Sequence, residues 1–89
     1  MRAVLTVIGK DSVGILAKVS AECANCNINI NEVTQTVLQD LFCMIMMCDI
    51  EKMSCSFSEF SDKMSALGKE TNLSITAMHE DIFNSMHRI

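Results

Sequence analysis

The sequence has no tryptophan, tyrosine or proline, and it contains only four phenylalanines and three glycines. With so few aromatic rings, the core must be packed by Leu, Ile, Val, Met and Cys, and eight methionines predict an adaptable core. Without proline, no turn can depend on its fixed φ. The 89 residues, of which 49% are hydrophobic and 20% charged, predict one globular domain over residues 1–89.

Basic residues are also scarce, since seven Lys and Arg against eleven Asp and Glu give a formal net charge of −4. This balance argues against direct nucleic-acid binding, which needs a basic surface, and no basic amphipathic helix suggests a membrane surface. The apolar residues before Gly9 are too few for a signal peptide or a membrane span, so we expect a cytoplasmic protein. The five cysteines, mostly in apolar runs, then predict buried free thiols.

Hydrophobic periodicity predicts the element order β-α-β-β-α-β, with strands at 2–8, 28–38, 41–50 and 73–78. This order is typical of an α+β, ferredoxin-like fold with a four-stranded antiparallel sheet and both helices on one face. The first and third strands are then central. The core of the domain is predicted at 1–78, and 79–89 is predicted to form a short C-terminal helical tail.

Several local features refine this prediction. Asp11 or Ser12 can cap the first helix, whose apolar stripe is predicted to be Ile15, Leu16, Val19, Cys23 and Cys26. Asn27 suits a left-handed position after that helix, and a shift in the apolar pattern predicts a β-bulge between Ile30 and Val33. The second helix begins with a capping box at 56–59 and is expected to weaken or end near Gly68.

The third predicted strand is apolar on both faces, with Phe42, Met44 and Met46 alternating with Cys43, Ile45 and Met47. The helices of a ferredoxin-like fold cover only one face of the sheet. An uncovered apolar face predicts a partner surface, most simply a second copy of the chain. The alternative is that the C-terminal tail folds over that face.

Chemistry-bearing clusters are few. Cys23 and Cys26 match a CxxC spacing, but both fall in the last helical turn, so a core role is favoured over a redox or metal role. The cluster His79, Glu80, Asp81 and His87 contains metal-binding residue types, although the two histidines are two helical turns apart. No nucleophile–base pair or phosphate-loop lysine pattern occurs, so we expect neither an enzyme nor a cofactor.

The clearest functional signal is the loop between the first strand and the first helix, which begins at Gly9 and ends at Gly14. Backbone N–H groups and the positive end of the helix dipole make such a loop a plausible site for a small anion or an amino acid. Gly14 is predicted in the first helical turn, where its retention suggests close approach of another backbone or a ligand. The alternative is a plain connection.

The residues of this region resemble the opening of an ACT domain, in the segments VIGKDSVGIL (7–16), Val19 and NINI (27–30). The tail MHEDIF (78–83) with Met86, His87 and Ile89 is similar to that of small stand-alone ACT proteins, which are themselves similar to the ACT domains of the glycine-cleavage-system transcriptional repressor. The resemblance implies a regulatory module of a kind that often binds amino acids at a subunit interface. It places the ligand-binding residues at Asp11, Ser12, Val13, Gly14, Ile15, Asn29, Ile30 and Asn31.

Three hypotheses follow. In the first, the chain is a homodimeric amino-acid sensor, in which loop 11–15 binds the effector carboxylate and Asn29 or Asn31 orients its amine. In the second, it is a protein-interaction or dimerisation subunit that uses the apolar sheet face without a ligand and acts on a regulated protein partner. In the third, the C-terminal cluster binds a metal.

Overall fold

The elements of the chain follow the predicted order in a computed structural model that describes residues 1–10 and 13–86. They are β1 (Arg2–Lys10), α1 (Ile15–Asn25), β2 (Asn29–Leu38), β3 (Leu41–Asp49), α2 (Phe57–Thr71), β4 (Leu73–His79) and α3 (Glu80–Met86). The β-α-β-β-α-β order is confirmed, and the tail contributes the helix α3.

The sheet has the strand order β2-β3-β1-β4, with each neighbouring pair antiparallel. The two most apolar strands, β1 and β3, are therefore central, and the ferredoxin-like prediction is confirmed. Strand β1 extends two residues beyond its predicted end. It does so because Gly9 is paired on both sides, with Phe42 of β3 and Leu73 of β4.

Helices α1 and α2 pack on one face of the sheet and enclose the core. Their buried side chains meet those of β1 and β3, and the fully buried members include Leu5, Val7, Val19, Cys23, Cys26, Met46, Cys48, Phe60 and Met64. Core positions for Cys23 and Cys26 are thus confirmed. The prediction was wrong for Leu16, which is 40% exposed, because it lies about 100° around the helix from Ile15.

The opposite side of the sheet, here called the open face, carries the alternate side chains of β1 and β3. It includes Val4 and Ile8 from β1 and Ile45 from β3. Val4 is fully buried, and α3 packs against β1 and β4, so the tail covers this end of the open face. Ile8 and Ile45 stay 44% and 45% exposed. Helix α3 therefore covers part of the open face and leaves an apolar remainder around Ile8 and Ile45.

Three junctions have the predicted local geometry. Asn27 has a φ of 57°, as expected of a left-handed residue after α1. The pairing of β2 with β3 shifts register between Ile30 and Glu32, which confirms the bulge. Ser56 caps α2, since its Oγ accepts a hydrogen bond from the N–H of Glu59 at 3.1 Å.

Helix α2 does not end near Gly68, one of the two outcomes expected there. The helix continues to Thr71, and Asn72 ends it with a φ of 63°. Gly68 is buried inside the helix because the chain returns over it in β4. A Cβ at this position would lie 2.6 Å from the carbonyl oxygen of Leu73. Close packing, and not helix termination, therefore explains this glycine.

Candidate functional site

The loop that precedes α1 exposes the start of that helix. Gly14 is the N-cap residue, with a φ of 83°, and its carbonyl oxygen accepts the N–H of Lys18 at 3.0 Å. No side chain of the described residues caps the helix, and its first turn contains no acidic residue. Among the described residues, no side chain therefore competes with a negatively charged ligand for the first N–H groups of α1. The predicted cap at Asp11 or Ser12 lies outside the described residues.

The glycine at position 14 has an explanation within the chain that was not expected from the sequence. A Cβ on Gly14 would meet no atom of the described chain within 4 Å, so close approach of another part of the fold does not explain it. The positive φ does, because residues with a side chain rarely adopt it. The neighbouring Val13 is 98% exposed, whereas Ile15 is buried and anchors the helix. Of the described loop residues, Val13 and Gly14 are therefore both exposed to solvent.

The second group of predicted site residues lies at the start of β2. The side-chain amide of Asn29 donates to Oδ1 of Asn31 at 3.1 Å, and both side chains are exposed. Ile30 points the other way and packs against the core. Residues two apart on a regular strand share a face, but their side chains need not touch. The bulge after Ile30 bends the strand locally and lets the side chains of Asn29 and Asn31 meet.

The two groups lie at opposite ends of the sheet. Asn29 is paired with Asp49, which is paired with Arg2 at the start of β1. The loop, by contrast, follows Lys10 at the end of β1. Eight residue steps along a strand correspond to roughly 26 Å. A single chain therefore does not bring loop residues 13–15 and the asparagines to one small ligand.

A narrow crevice borders the loop, between α1, the end of α2 and the start of β4. It is lined by Val13, Ile15, Lys18, Val19, Leu67, Thr71, Leu73 and Ile75, and its volume of about 10 Å³ suits one water molecule. Sequence reasoning missed Lys18 and Thr71 here. No sequence signal marks them, because they become neighbours only when the two helices pack.

A larger cleft of about 470 Å³ lies at the other end of the sheet, beside Asn29. Asn27, Asp49, Glu51 and Lys52 contribute its polar groups. The side-chain amide of Asn27 donates to the carbonyl oxygen of Lys52 at 2.8 Å, which ties the two bordering loops together. The cleft is open to solvent and carries both signs of charge.

The residues of the predicted C-terminal cluster do not converge on one point, because His79 and Glu80 contact different parts of the fold. His79 stacks on Phe57 with ring centroids 4.1 Å apart, and its buried Nδ1 has no hydrogen-bond partner among the described residues. Glu80 instead pairs with Arg2, whose Nε donates to Oε1 at 3.1 Å. Within 1–10 and 13–86, no three His, Cys, Asp or Glu side chains are placed to hold one metal ion. His87 lies outside the described residues.

These observations define an α+β, ferredoxin-like domain with an exposed strand–loop–helix junction. Residues 2–78 match the family model of the ACT domain. The chain belongs to the ACT domain family. A UPF0237 protein of Listeria innocua is 48% identical to it over 89 residues, with 100% of each chain covered.

Solved structures agree with this assignment. An ACT domain protein from Streptococcus pneumoniae superposes with a TM-score of 0.81 at 34% identity, and 93% of each chain is covered. A protein described as a glycine cleavage system transcriptional repressor gives a TM-score of 0.70 at 20% identity. That match covers 86% of this chain and 44% of the other, and it reflects the fold alone. Among the described helices, none is long and apolar enough to cross a membrane.

Proposed function

We propose that this chain is a small regulatory module that binds an amino-acid effector and acts as a homodimer in the cytoplasm. The observation that carries the proposal is the placement of the two groups of site residues. Loop residues 13–15 and the pair Asn29 and Asn31 lie at opposite ends of one sheet. Only a second copy can bring one group beside the other, so binding and dimerisation would be linked.

The proposed binding chemistry uses the polarity of the two groups. The effector carboxylate would accept hydrogen bonds from the N–H groups at the start of α1, next to Gly14, which no side chain of the described residues caps. The amide oxygen of Asn29 or Asn31 from the second copy would accept hydrogen bonds from the effector amine. An effector that binds the dimer more tightly than the monomer would then shift the population toward the dimer.

A thermal-shift screen with the twenty amino acids tests this proposal. A ligand present at about 100 times its Kd stabilises a protein by about 2.7 kcal/mol, which raises the Tm of a domain of this size by roughly 10 °C or more. Asn29→Ala should abolish the shift, while Asn25→Ala, at the exposed end of α1, should retain it. If no amino acid at millimolar concentration moves the Tm, the sensor hypothesis is wrong.

The second hypothesis, an interaction subunit without a ligand, also has an observation in its favour. The open face and its margin expose Ile8, Leu41 and Ile45, whereas the crevice beside the loop is too small for an amino acid. In this case the protein would dimerise or bind a partner protein, but the amino-acid screen would give no shift. The thermal-shift screen therefore separates the two hypotheses, since only the first predicts a shift with an amino acid.

A binding role, and not a catalytic one, fits the polar groups of the described residues. The carboxylate of Glu80 is engaged by Arg2, and His79 is stacked on Phe57. A metal role for the tail remains the third hypothesis. Metal analysis of protein purified without an affinity tag tests it, and sub-stoichiometric metal would refute it.

A further inference from the structure

Four of the five cysteines are grouped in two pairs near the end of α1. The Cys23 thiol of α1 lies beside that of Cys48 in β3, and the Cys26 thiol lies beside that of Cys55, which precedes α2. All are free thiols, and Cys43 lies apart from them on the open face. The grouping was not expected from the sequence, which suggested Cys23 and Cys26 as the candidate pair.

The two pairs differ in their access to solvent. Cys23 and Cys48 are both fully buried, and the hydrogen bond to Cys48 together with burial raises the pKa of the Cys23 thiol. Neither sulfur of this pair can meet a dissolved reagent while the core is intact. The other pair joins the buried Cys26 to the half-buried Cys55. Only this second pair has one sulfur that solvent can reach.

The backbone already holds the second pair together. The N–H of Ser54, next to Cys55, donates to the carbonyl oxygen of Cys26 at 2.8 Å. The bond from Asn27 to the Lys52 carbonyl, also 2.8 Å long, ties the same two segments. A disulfide requires Cα atoms about 4.4–6.8 Å apart, and these two hydrogen bonds keep the segments that carry Cys26 and Cys55 next to each other.

A lysine completes the arrangement. Nζ of Lys63, on α2, lies 3.8 Å from Sγ of Cys26. An ammonium group at this position stabilises negative charge on that sulfur when it acts as a nucleophile. The hydrogen bond with Cys26 and partial burial raise the pKa of the Cys55 thiol, so Cys55 keeps its proton at neutral pH.

We propose that Cys26 and Cys55 form an oxidisable thiol pair that closes to a disulfide by exchange with a low-molecular-weight disulfide, RSSR. The exposed thiol reacts first: Cys55 loses its proton, its sulfur attacks one sulfur of RSSR, and RSH leaves. Cys26 then loses its proton and attacks the Cys55 sulfur of the mixed disulfide, and a second RSH leaves. Two protein thiols are oxidised and one RSSR is reduced to two RSH.

The new bond would join the end of α1 to the segment that leads into α2. These segments continue into the loops that border the cleft beside Asn29. Oxidation would therefore fix the cleft and raise the Tm of the protein, because a cross-link restricts the unfolded chain.

Peptide mapping tests the pairing directly. Trypsin cleaves after Lys18, Lys52 and Lys63, so Cys55 falls alone in peptide 53–63 while the other four cysteines fall in peptide 19–52. The reduced protein is incubated with oxidised glutathione at about pH 8, where more of each thiol is ionised than at neutral pH, and remaining thiols are alkylated. We expect the two peptides to be joined by a disulfide. If they are not joined, or if wild-type Cys55 retains glutathione, the proposal is wrong.

Variants identify the partner of Cys55. Cys26→Ser should stop at the glutathione mixed disulfide on Cys55, and Cys55→Ser should leave Cys26 unmodified because it is buried. Cys43→Ser is the matched control and should oxidise like wild type. Peptides still joined in Cys26→Ser would assign the bond to another cysteine and overturn the pairing, and this result does not depend on the Cys55→Ser variant.

The role of Lys63 has its own readout. Lys63→Gln should slow ring closure by about threefold to tenfold, so that the mixed disulfide accumulates before the protein disulfide forms. Lys69→Gln, on an exposed lysine of the same helix, is the control and should match wild type. Equal closure rates for wild type and Lys63→Gln would remove Lys63 from the mechanism.

Discussion

Two glycines with opposite physical requirements show how single residues shape this fold. Gly14 has open space where a Cβ would go but a φ of 83°, whereas Gly68 lies in a helix with a carbonyl oxygen 2.6 Å from the Cβ position. The sequence marked both residues, but it suggested neither the positive φ at Gly14 nor the close packing at Gly68. The room for a Cβ atom and the φ angle at each position are properties of the folded chain. A glycine in the sequence does not show which of the two requires it.

These different requirements predict different mutational responses. Gly14→Ala should destabilise the protein by about 1 kcal/mol through backbone strain, and Gly14→Asn by less, because Asn tolerates the left-handed region. Gly68→Ala should cost about 2 kcal/mol, and Gly68→Asn at least as much, because any Cβ overpacks against the Leu73 carbonyl. Urea unfolding measures all four. If the Asn variant is more stable than the Ala variant at position 68 but not at position 14, backbone strain would explain Gly68 and close packing would explain Gly14, contrary to our assignment.

At the scale of elements, the order and the central strands could be predicted because hydrophobic period follows directly from helix and strand geometry. The bulge after Ile30 and the left-handed Asn27 were also predictable, since both are local. Element ends were less accurate. Strand β1 continues through Gly9 because strands on both sides pair with it, and α2 continues past Gly68 because β4 packs there.

The features of the candidate site also divide into those that local sequence predicts and those that only the folded chain shows. The start of α1 at Gly14 and Ile15 and the asparagines at the start of β2 could be located from sequence, because they depend on residues close together in the chain. Their separation to opposite ends of the sheet could be read only from strand register. The pairing of Cys26 with Cys55 depends on the packing of two loops, which no spacing in the sequence encodes.

The capping box of α2 gives a test at the element scale. Ser56→Ala removes the side-chain acceptor for the Glu59 N–H, and we expect a loss of about 1 kcal/mol in the free energy of unfolding. Ser58→Ala is the matched control, since Ser58 is exposed in the first turn and should change stability by less than about 0.5 kcal/mol. If Ser56→Ala and Ser58→Ala lower the free energy of unfolding by the same amount, the hydrogen bond from the Glu59 N–H to Ser56 does not stabilise the helix.

At the scale of the whole molecule, the open face is the surface that the fold leaves without a partner. Helix α3 covers Val4 but not Ile8 or Ile45. The helix itself exposes Ile82 and Met86. A sheet face of four strands measures roughly 500 Å², below the ~800 Å² per partner of a standard interface, so α3 would have to extend the contact. We therefore infer an interface made by the open face together with α3.

A charge at the centre of that face should separate the subunits. Ile45→Glu would place a carboxylate against its counterpart in an apolar contact, and we expect it to raise the dimer Kd by at least about 100-fold. Leu16→Glu is the control, because Leu16 is similarly exposed but lies on the helical side. Sedimentation equilibrium of both variants measures the Kd. A dimer that survives Ile45→Glu and dissociates with Leu16→Glu would place the interface on the helices.

The central claim, that two copies of the chain are needed to complete one binding site, is tested most directly by size-exclusion chromatography with light scattering. The chain has a mass of 9.9 kDa. We predict a species of about 20 kDa that persists on dilution to low micromolar concentration, as a specific symmetric dimer should. A species that stays at 9.9 kDa at every concentration, with and without amino acids, would contradict the account.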